Sequence, residues 1–183
     1  MTSQAESSTD LVITAPAEMI SALAYSARCR QTLGVLTELV ACATDRLIIS
    51  APFLQAGAGI TSGVLNAALK AALRRGVTIE LVSTGRSLQG IDIADFRRIA
   101  PTSLRVCQPT TNVLDPRVLG SHAKFCVSDG VAAYVGSANL TGPGLDGQIE
   151  MGVLVRGAVA RQIEEFWVLC CQLGLFIEVR SDS

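Results

Sequence analysis

The feature that most constrains the fold of this sequence is a pair of β-rich segments, residues 121–128 and 131–137, joined by Asp129-Gly130. An Asp-Gly dipeptide between apolar segments favours a tight turn with positive backbone φ angles, which predicts an antiparallel hairpin. Side chains alternate between the two faces of a strand, so His122 and Lys124 are expected to lie on the same face.

Hydrophobic spacing along the rest of the chain predicts helices and strands in alternation, and therefore an α/β fold with a mixed β-sheet flanked by helices. Because 183 residues suffice for one core, residues 16–183 are expected to form a single domain after a flexible N-terminus over residues 1–15. Residues 109–120 are expected to be an exposed loop. The predicted helices lie at 16–30, 32–44, 60–75, 87–100 and 158–173, and the other predicted strands at 46–53, 77–83, 104–108 and 149–155.

Charge and hydropathy limit the class of protein. The chain carries 15 Lys and Arg against 16 Asp and Glu, which argues against the strongly basic surface of a general nucleic-acid coat protein. Its residues are 49% hydrophobic, yet no apolar run approaches the roughly 18 to 20 residues of a membrane span. Residues 1–10 are polar and resemble no secretory signal, so a cytoplasmic location is expected.

Cationic residues are concentrated in the middle of the chain. Residues 70–124 hold nine Lys and Arg against four Asp and Glu, whereas the remaining residues are net acidic. The concentration is typical either of a solvated helix face or of a surface that attracts anions such as nucleic acid. The sequence leaves both interpretations open.

The six cysteines form no C-x-x-C pair, and His122 is the single histidine, which leaves little for a Cys/His zinc site. We therefore expect buried thiols in a reducing compartment, with no metal and no cofactor.

Four side chains of the predicted hairpin have the chemistry of a phosphate site. His122 and Lys124 lie on its first strand, and Ser137 and Asn139 follow the same alternation at the end of its second. The ammonium supplies positive charge, the hydroxyl and the amide supply directional hydrogen bonds, and the imidazole can attack phosphorus or transfer a proton. Together these groups predict chemistry on a phosphate ester.

The spacing of these residues resembles the HKD motif of the phospholipase D superfamily, H-x-K-x4-D-x6-G-S-x-N. Segments 69–82 and 148–153 are also similar to the elements on either side of the motif in that family, so the resemblance covers about residues 45–170. It implies a phospholipase-D-like fold to which the N-terminal helices are additions. The motif positions are filled by His122, Lys124, Asp129, Gly136, Ser137 and Asn139, of which Asp129 and Gly136 are expected to be structural.

The resemblance also implies a role for each remaining residue. His122 would be the nucleophile and form a phosphohistidine intermediate without a metal ion. Lys124 and Asn139, with Ser137, would bind the phosphoryl oxygens and stabilise the transition state. Glu150 matches the acidic residue that hydrogen-bonds the rear nitrogen of the nucleophilic imidazole and so fixes its tautomer.

A single histidine is too few for two-step transfer at phosphorus, which needs one group to attack and another to protonate the leaving oxygen. Small members of the superfamily pair two chains to supply both. The resemblance therefore implies a homodimer in which His122 of one subunit attacks and His122 of the other acts as general acid.

The superfamily includes nucleases and lipid-modifying enzymes, so the fold leaves the substrate open. The short chain, the single motif and the cationic middle segment favour a nuclease that cleaves DNA or RNA. The chain is also similar to the phospholipase-D-like component of the DISARM antiphage systems, which implies phage defence and protein partners. The alternatives are a lipid phosphodiesterase, and a catalytically weak subunit that binds phosphate backbones within a larger complex.

Overall fold

A nine-stranded mixed sheet runs through the part of the chain that the computed structural model describes, residues 7–54, 59–84, 87–88, 93–110 and 121–179. The predicted α/β fold with a mixed sheet is confirmed. The strands are β1 (Thr9–Thr14), β2 (Arg30–Gln31), β3 (Arg46–Ser50), β4 (Thr78–Val82), β5 (Leu104–Pro109), β6 (Phe125–Ser128), β7 (Ala132–Gly136), β8 (Glu150–Arg156) and β9 (Phe176–Glu178). The helices are α1 (Ala17–Ala27), α2 (Thr32–Cys42), α3 (Gly63–Arg74), α4 (Ala94–Ile99) and α5 (Ala158–Gln172), with a 3-10 turn at Gly59–Thr61 and a π-helical turn at Pro143–Gly147.

The strand order is β2-β1-β8-β7-β6-β3-β4-β5-β9. Strands β3, β4 and β5 are parallel neighbours, because α3 and the segment containing α4 carry the chain back between them. Strands β6, β7 and β8 pair antiparallel, and β6 pairs antiparallel with β3. The hairpin therefore joins the parallel half of the sheet to its antiparallel half.

The predicted hairpin is confirmed, but its first strand is shorter than expected. Asp129 and Gly130 have φ angles of 53° and 63°, and the Val131 amide donates to the Ser128 carbonyl at 2.9 Å, as a type I′ turn requires. Strand β6 begins only at Phe125, so His122 and Lys124 lie in the segment before the strand rather than within it. The ladder ends there because both neighbouring strands end, β3 at Ser50 and β7 at Gly136.

Helices α2, α3 and α4 cover one face of the sheet, and α5 covers the other. The first layer buries aliphatic side chains at helical spacing, such as Leu36 and Leu39 on α2 and Leu65 and Leu69 on α3. On the opposite face, Trp167 of α5 is 2% exposed and packs in a second apolar cluster with strand residues. None of the helices formed by the described residues is long and apolar enough to span a membrane.

The N-terminal segment differs from the sequence expectation. Residues 9–14, expected to be part of a flexible terminus, form β1, which pairs with β8 along its whole length. Val12 is fully buried, so this strand contributes to the core. Residues 1–6 of the expected flexible segment, the section of the predicted helix at 89–92, and residues 111–120 of the predicted loop lie outside the described residues.

A buried carboxylate attaches α5 to the sheet. Glu80 on β4 is 1% exposed and accepts hydrogen bonds from Trp167 Nε1 at 2.8 Å and from Arg46 Nε at 2.9 Å. The Arg105 guanidinium lies 3.4 Å from the same carboxylate. A buried charge is tolerated only when it is paired and hydrogen-bonded in this way.

The six cysteines are all free thiols, and three of them, Cys107, Cys126 and Cys170, are buried as expected. Burial raises the pKa of Cys126 to about 12, so this thiol stays neutral. Cys42 is exposed instead, because it is the last residue of α2.

Asp129 fixes the hairpin turn to the start of β3. One carboxylate oxygen accepts the Thr44 amide at 2.8 Å and the Thr44 hydroxyl at 2.9 Å, and the other accepts the Asp45 amide at 3.1 Å and the Arg46 amide at 2.7 Å. Burial by itself would raise the pKa of Asp129, but these hydrogen bonds outweigh it and lower the pKa. The carboxylate therefore stabilises the fold in its ionised form.

We predict that Asp129→Asn lowers the free energy of unfolding at pH 7 by about 1 to 3 kcal/mol, because an amide has one accepting oxygen instead of two. Asn tolerates a positive φ angle, so the loss reports the hydrogen bonds and not backbone strain. The stabilisation by Asp129 is full above the unfolded-state pKa of about 3.9 and is lost as the pH falls through the lower folded-state pKa. Urea unfolding at pH 7 and at acid pH checks both effects, with Asp45→Asn as the matched control, expected within about 0.5 kcal/mol of the wild type. Equal losses in the two variants would contradict the assignment.

Candidate active site

The residues singled out by the sequence gather at one end of the sheet. The segment before β6 carries His122 and Lys124, the turn after β7 carries Ser137 and Asn139, and β8 begins with Glu150. The strand registers place these ends together, since Phe125 pairs with Val135 and Gly136 with Gly152. Asp129 lies at the opposite end, at the turn, where it fixes the hairpin without reaching the site.

The imidazole and the ammonium are in direct contact. Lys124 Nζ lies 3.3 Å from His122 Nδ1 and 3.3 Å from the His122 carbonyl oxygen. An ammonium can only donate, so in this contact the Nδ1 lone pair of His122 is the acceptor. The imidazole ring is exposed, and the Phe53 ring lies nearly perpendicular to it, with 6.5 Å between the ring centroids.

Lys124 is the buried charge of the site. The residue is 8% exposed, and its burial lowers the pKa of the ammonium, while the nearby charge of Glu150 raises it and only partly compensates. Its own chain supplies the His122 nitrogen and carbonyl as partners, and neither is an anion. An incoming phosphate would be a stronger partner than either.

Ser137 and Glu150 form a bridge between the end of β7 and the start of β8. The Ser137 hydroxyl donates to Glu150 Oε2 and accepts the Met151 amide at 3.1 Å, while the Ser137 amide donates to the Met151 carbonyl at 3.0 Å. The resemblance assigns Glu150 to the rear nitrogen of His122. In the structure, Glu150 is hydrogen-bonded to Ser137, and the imidazole is hydrogen-bonded to Lys124.

Asn139 is placed by the π-helical turn. A Cβ atom on Gly144 would lie 2.4 Å from the Asn139 carbonyl oxygen, so this glycine permits the turn to pack directly on the Asn139 backbone. The Asn139 side-chain oxygen is buried and has no hydrogen-bond partner among the described residues. Packing of the π-helical turn on the Asn139 backbone therefore holds the Asn139 side chain at the site.

Gly136 has a packing reason to be a glycine. A Cβ atom there would lie 2.2 Å from the Tyr134 hydroxyl oxygen and 2.9 Å from the Gly152 Cα. The ring of Tyr134 therefore lies across the paired glycines of β7 and β8. Neither Tyr134 nor Phe53 was found by sequence reasoning, because the pattern shows them only as apolar strand residues.

The cationic residues of segment 70–124 do not line the site as a group. Arg75 donates to carbonyls at the end of α2, Arg105 pairs with Glu80 and Glu178, and Arg98 pairs with Asp95. Lys124 is the member of this set that belongs to the site, while Arg86 and Arg117 lie outside the described residues. Four described cations of the segment, those of Lys70, Arg75, Arg98 and Arg105, therefore serve contacts away from the site.

A family model described as cardiolipin synthase, phospholipase-D-like domain, matches residues 36–168. The chain belongs to the phospholipase D superfamily. A search of curated proteins finds no match. Members of this superfamily are phosphodiesterases. The matched residues 36–168 include every motif residue from His122 to Asn139, and also Glu150.

Solved structures show the same phospholipase-D-like fold. A phospholipase D family member, Nuc from Salmonella typhimurium, is similar over 96% of this chain and 100% of its own, with 19% identity and a TM-score of 0.66. NucT from Helicobacter pylori is similar over 95% of this chain and 100% of its own, with 12% identity and a TM-score of 0.65. A phosphatidylserine synthase from Haemophilus influenzae is similar over 94% of this chain and 40% of its own, with 13% identity and a TM-score of 0.66.

Among the described residues, no group of three or more His, Cys, Asp and Glu side chains is arranged to hold a metal ion. The groups of the site that can donate hydrogen bonds to an anion are those of Lys124, Ser137 and Asn139. Lys124 lies before β6, whereas Ser137 and Asn139 lie on the same turn after β7.

We predict that binding of inorganic phosphate weakens with rising pH below the ordinary lysine pKa of about 10.4, because burial lowers the pKa of Lys124. The charged form binds the anion, so affinity is full below the lowered pKa and is lost as the pH rises through it. In Lys124→Arg the charge persists, and the affinity should stay level to at least pH 10.5. Isothermal titration calorimetry from about pH 8, where inorganic phosphate is already a dianion, to pH 10.5 measures both. Lys70→Arg, the same change at the other lysine, should keep the wild-type profile, and a level wild-type profile would contradict the prediction.

Proposed function

We propose that this protein is a nuclease that cleaves DNA or RNA through a covalent phosphohistidine at His122. The contact between His122 Nδ1 and Lys124 Nζ, at 3.3 Å, is the observation that carries the proposal. It places a nucleophile beside a buried cation whose present partners are weaker than a phosphate. The fold and the family support phosphodiester chemistry, and the proposed reaction uses the His122–Lys124 pair.

The first half of the reaction exchanges the partners of Lys124. A phosphodiester binds with its non-bridging oxygens toward Lys124, Ser137 and Asn139. The ammonium leaves the imidazole, and the Ser137 hydroxyl turns from Glu150, to donate to the phosphate. His122 then attacks phosphorus, a P–N bond forms, and the P–O bond to the leaving group breaks. A general acid protonates the departing alkoxide, and the phosphohistidine remains.

The second half returns the enzyme to its starting state. The former general acid, now a base, takes a proton from water, and the resulting hydroxide attacks phosphorus. The P–N bond breaks, a phosphate monoester leaves, and His122 regains its free ring. Lys124 and the donors of Ser137 and Asn139 stabilise the charge that develops on the phosphoryl oxygens in both steps.

Two observations support nucleic acid as the substrate. The proteins named Nuc and NucT are matched over their whole length, whereas the phosphatidylserine synthase is matched over 40% of its chain. Phe53 and Phe166 are 43% and 60% exposed, and each lies close to His122, through a ring contact or a shared cavity wall. Exposed aromatic rings beside a phosphate site can stack on nucleobases, which adds to the attraction that Lys124 exerts on the phosphate. A role in phage defence remains a prediction from the resemblance.

We predict metal-independent cleavage of at least one of single-stranded DNA, double-stranded DNA and RNA in the presence of EDTA. His122→Ala should lower the rate by at least about 10³-fold, because it removes the nucleophile. Lys124→Ala should lower it by about 10²-fold or more through loss of a charge at the transition state. The matched control is Lys70→Ala, which should be as active as the wild type. End-labelled substrates on denaturing gels measure all four proteins, and absence of cleavage on every nucleic acid would overturn the proposal.

A lipid phosphodiester is the second candidate substrate, and exposed apolar side chains around the site favour it. Besides Phe53 and Phe166, Ile149 and Met151 on either side of Glu150 are 70% and 59% exposed. Apolar groups at a catalytic rim are typical of contact with a membrane surface. Release of headgroup from phosphatidylcholine or phosphatidylethanolamine vesicles, without cleavage of nucleic acid, would establish this alternative.

We propose that the general acid is the partner's His122, so that the active form is a homodimer. The chain has one histidine, and an apolar face of α5 adjoins it. Val159, Phe166, Leu169 and Leu173 follow helical spacing and are each at least 47% exposed. Phe166 and His122 line the same cavity, of about 540 Å³ as the described residues form it. A second copy on this face would cover the apolar residues and bring a second imidazole to the site.

We predict that mixing wild-type protein with a ninefold excess of His122→Ala, with exchange of subunits, lowers activity per wild-type chain by about tenfold, because most wild-type chains then pair with an inactive one. Dilution of wild type with the same mass of albumin is the control and should leave activity unchanged. Light scattering of Phe166→Glu should show a monomer with little activity. An active monomer, or no effect of the excess variant, would contradict the composite site.

A further inference from the structure

Tyr134 is a buried side chain directly behind the site, and the mechanism above does not use it. The residue is 2% exposed, and its ring lies across the paired Gly136 and Gly152. A Cβ atom on Gly152 would lie 2.6 Å from ring atom Cε2, and one on Gly136 would lie 2.2 Å from the hydroxyl oxygen. The two glycines therefore leave the space that this tyrosine fills.

The hydroxyl of Tyr134 points toward the turn that carries the donors of the site. It approaches the Ala138 amide and the Thr32 hydroxyl, but makes no hydrogen bond of standard geometry among the described residues. Burial, and to a smaller extent the charge of Glu150, raises the pKa of Tyr134. The group is therefore a neutral hydroxyl that can both accept and donate a hydrogen bond.

Two more buried hydroxyls lie on the same side of the sheet. Thr14 and Thr32 are 2% and 1% exposed, and their hydroxyls also lack partners among the described residues. In the parallel pairing of β1 and β2, Ile13 is opposite Gln31. Thr14 and Thr32 are the next residues of the two segments, so they are neighbours. Tyr134, Thr14 and Thr32 thus form one buried polar cluster behind the strand ends.

Such a cluster has an energetic cost that a purely apolar side chain would avoid. Each unsatisfied buried hydroxyl costs about 1 to 3 kcal/mol. A phenylalanine at position 134 would cover the same glycines without that cost. A functional reason for keeping the hydroxyl is its position beside the amide of Ala138, the residue between Ser137 and Asn139.

We propose that Tyr134 is a positioning residue, whose hydroxyl accepts the Ala138 amide when the substrate phosphate binds and thereby holds Ser137 and Asn139 toward that phosphate. This inference rests on the proposed function of the same site. The turn at 137–139 has no strand ladder to hold it, since β7 ends at Gly136. The Ser137 amide is fixed by its hydrogen bond to the Met151 carbonyl, and a bond from the Ala138 amide to Tyr134 would fix the next residue along the turn.

The test is Tyr134→Phe, which removes the hydroxyl and keeps the ring over both glycines. The matched control is Tyr25→Phe, because Tyr25 is the other tyrosine of the chain and is 88% exposed on α1. With bis(p-nitrophenyl) phosphate as a minimal phosphodiester, kcat of Tyr134→Phe should fall about tenfold with KM within twofold of wild type, because donor placement matters most in the transition state. Its melting temperature should equal or exceed that of the wild type, and Tyr25→Phe should match the wild type in every respect.

Affinity for inorganic vanadate, which takes the five-coordinate geometry of the transition state, provides a readout that does not need turnover. Calorimetry should show vanadate binding about tenfold weaker in Tyr134→Phe and unchanged in Tyr25→Phe. Wild-type kcat and vanadate affinity in Tyr134→Phe, or losses that follow a fall in melting temperature, would overturn the positioning role. The wild type could bind vanadate without hydrolysing any phosphodiester, while Tyr134→Phe binds vanadate more weakly. That result would refute the proposed function but not the positioning role of Tyr134. If the wild type neither hydrolyses the ester nor binds vanadate, both proposals fail.

Discussion

The carboxylate of Asp129 is the interaction on which the placement of the site depends. It accepts three amides and a hydroxyl from residues 44–46, just before and at the start of β3. Strand β6 pairs with β3 from Ser128 to Phe125. Fixing the turn at one end of β6 therefore determines which residues lie at the other end of the strand. A slip of one residue would move every side chain of β6 to the opposite face. The register held by Asp129 is therefore what delivers His122 and Lys124 to the ends of the neighbouring strands.

The site itself consists of two polar pairs on separate strand ends. One pair joins His122 to Lys124 before β6, and the other joins Ser137 to Glu150 across β7 and β8. The pairs are coupled through the charge of Glu150, which opposes the effect of burial on Lys124. Lys70, Arg75, Arg98 and Arg105 of the middle segment are engaged in other contacts, whereas Lys124 lies directly beside His122 and attracts a phosphate at this point. This concentration on one buried ammonium makes the site sensitive to any change at that residue.

Much of the fold could be predicted because its signals are local. The Asp-Gly turn, the aliphatic spacing of α3 and α5, and the β-rich runs at β3, β4 and β8 each determine their own structure, and the family resemblance follows from residues of one hairpin. The missed elements are those whose conformation comes from a neighbour. Strand β1 forms along β8, β2 has two residues, and β9 has three residues that pair with β5. Strands β2 and β9 are too short to show a hydrophobic periodicity.

By itself, the sequence determined the chemical groups of the site and the turn that brings them together, because motif spacing and turn chemistry are properties of consecutive residues. Only the tertiary structure decided the partners of those groups. Glu150 meets Ser137, Arg105 is directed to the buried Glu80, and Tyr134 lies over a glycine 18 positions away on the next strand. The physical reason is that hydrogen bonds and burial depend on which strand ends lie side by side, and that arrangement exists only after the sheet has formed.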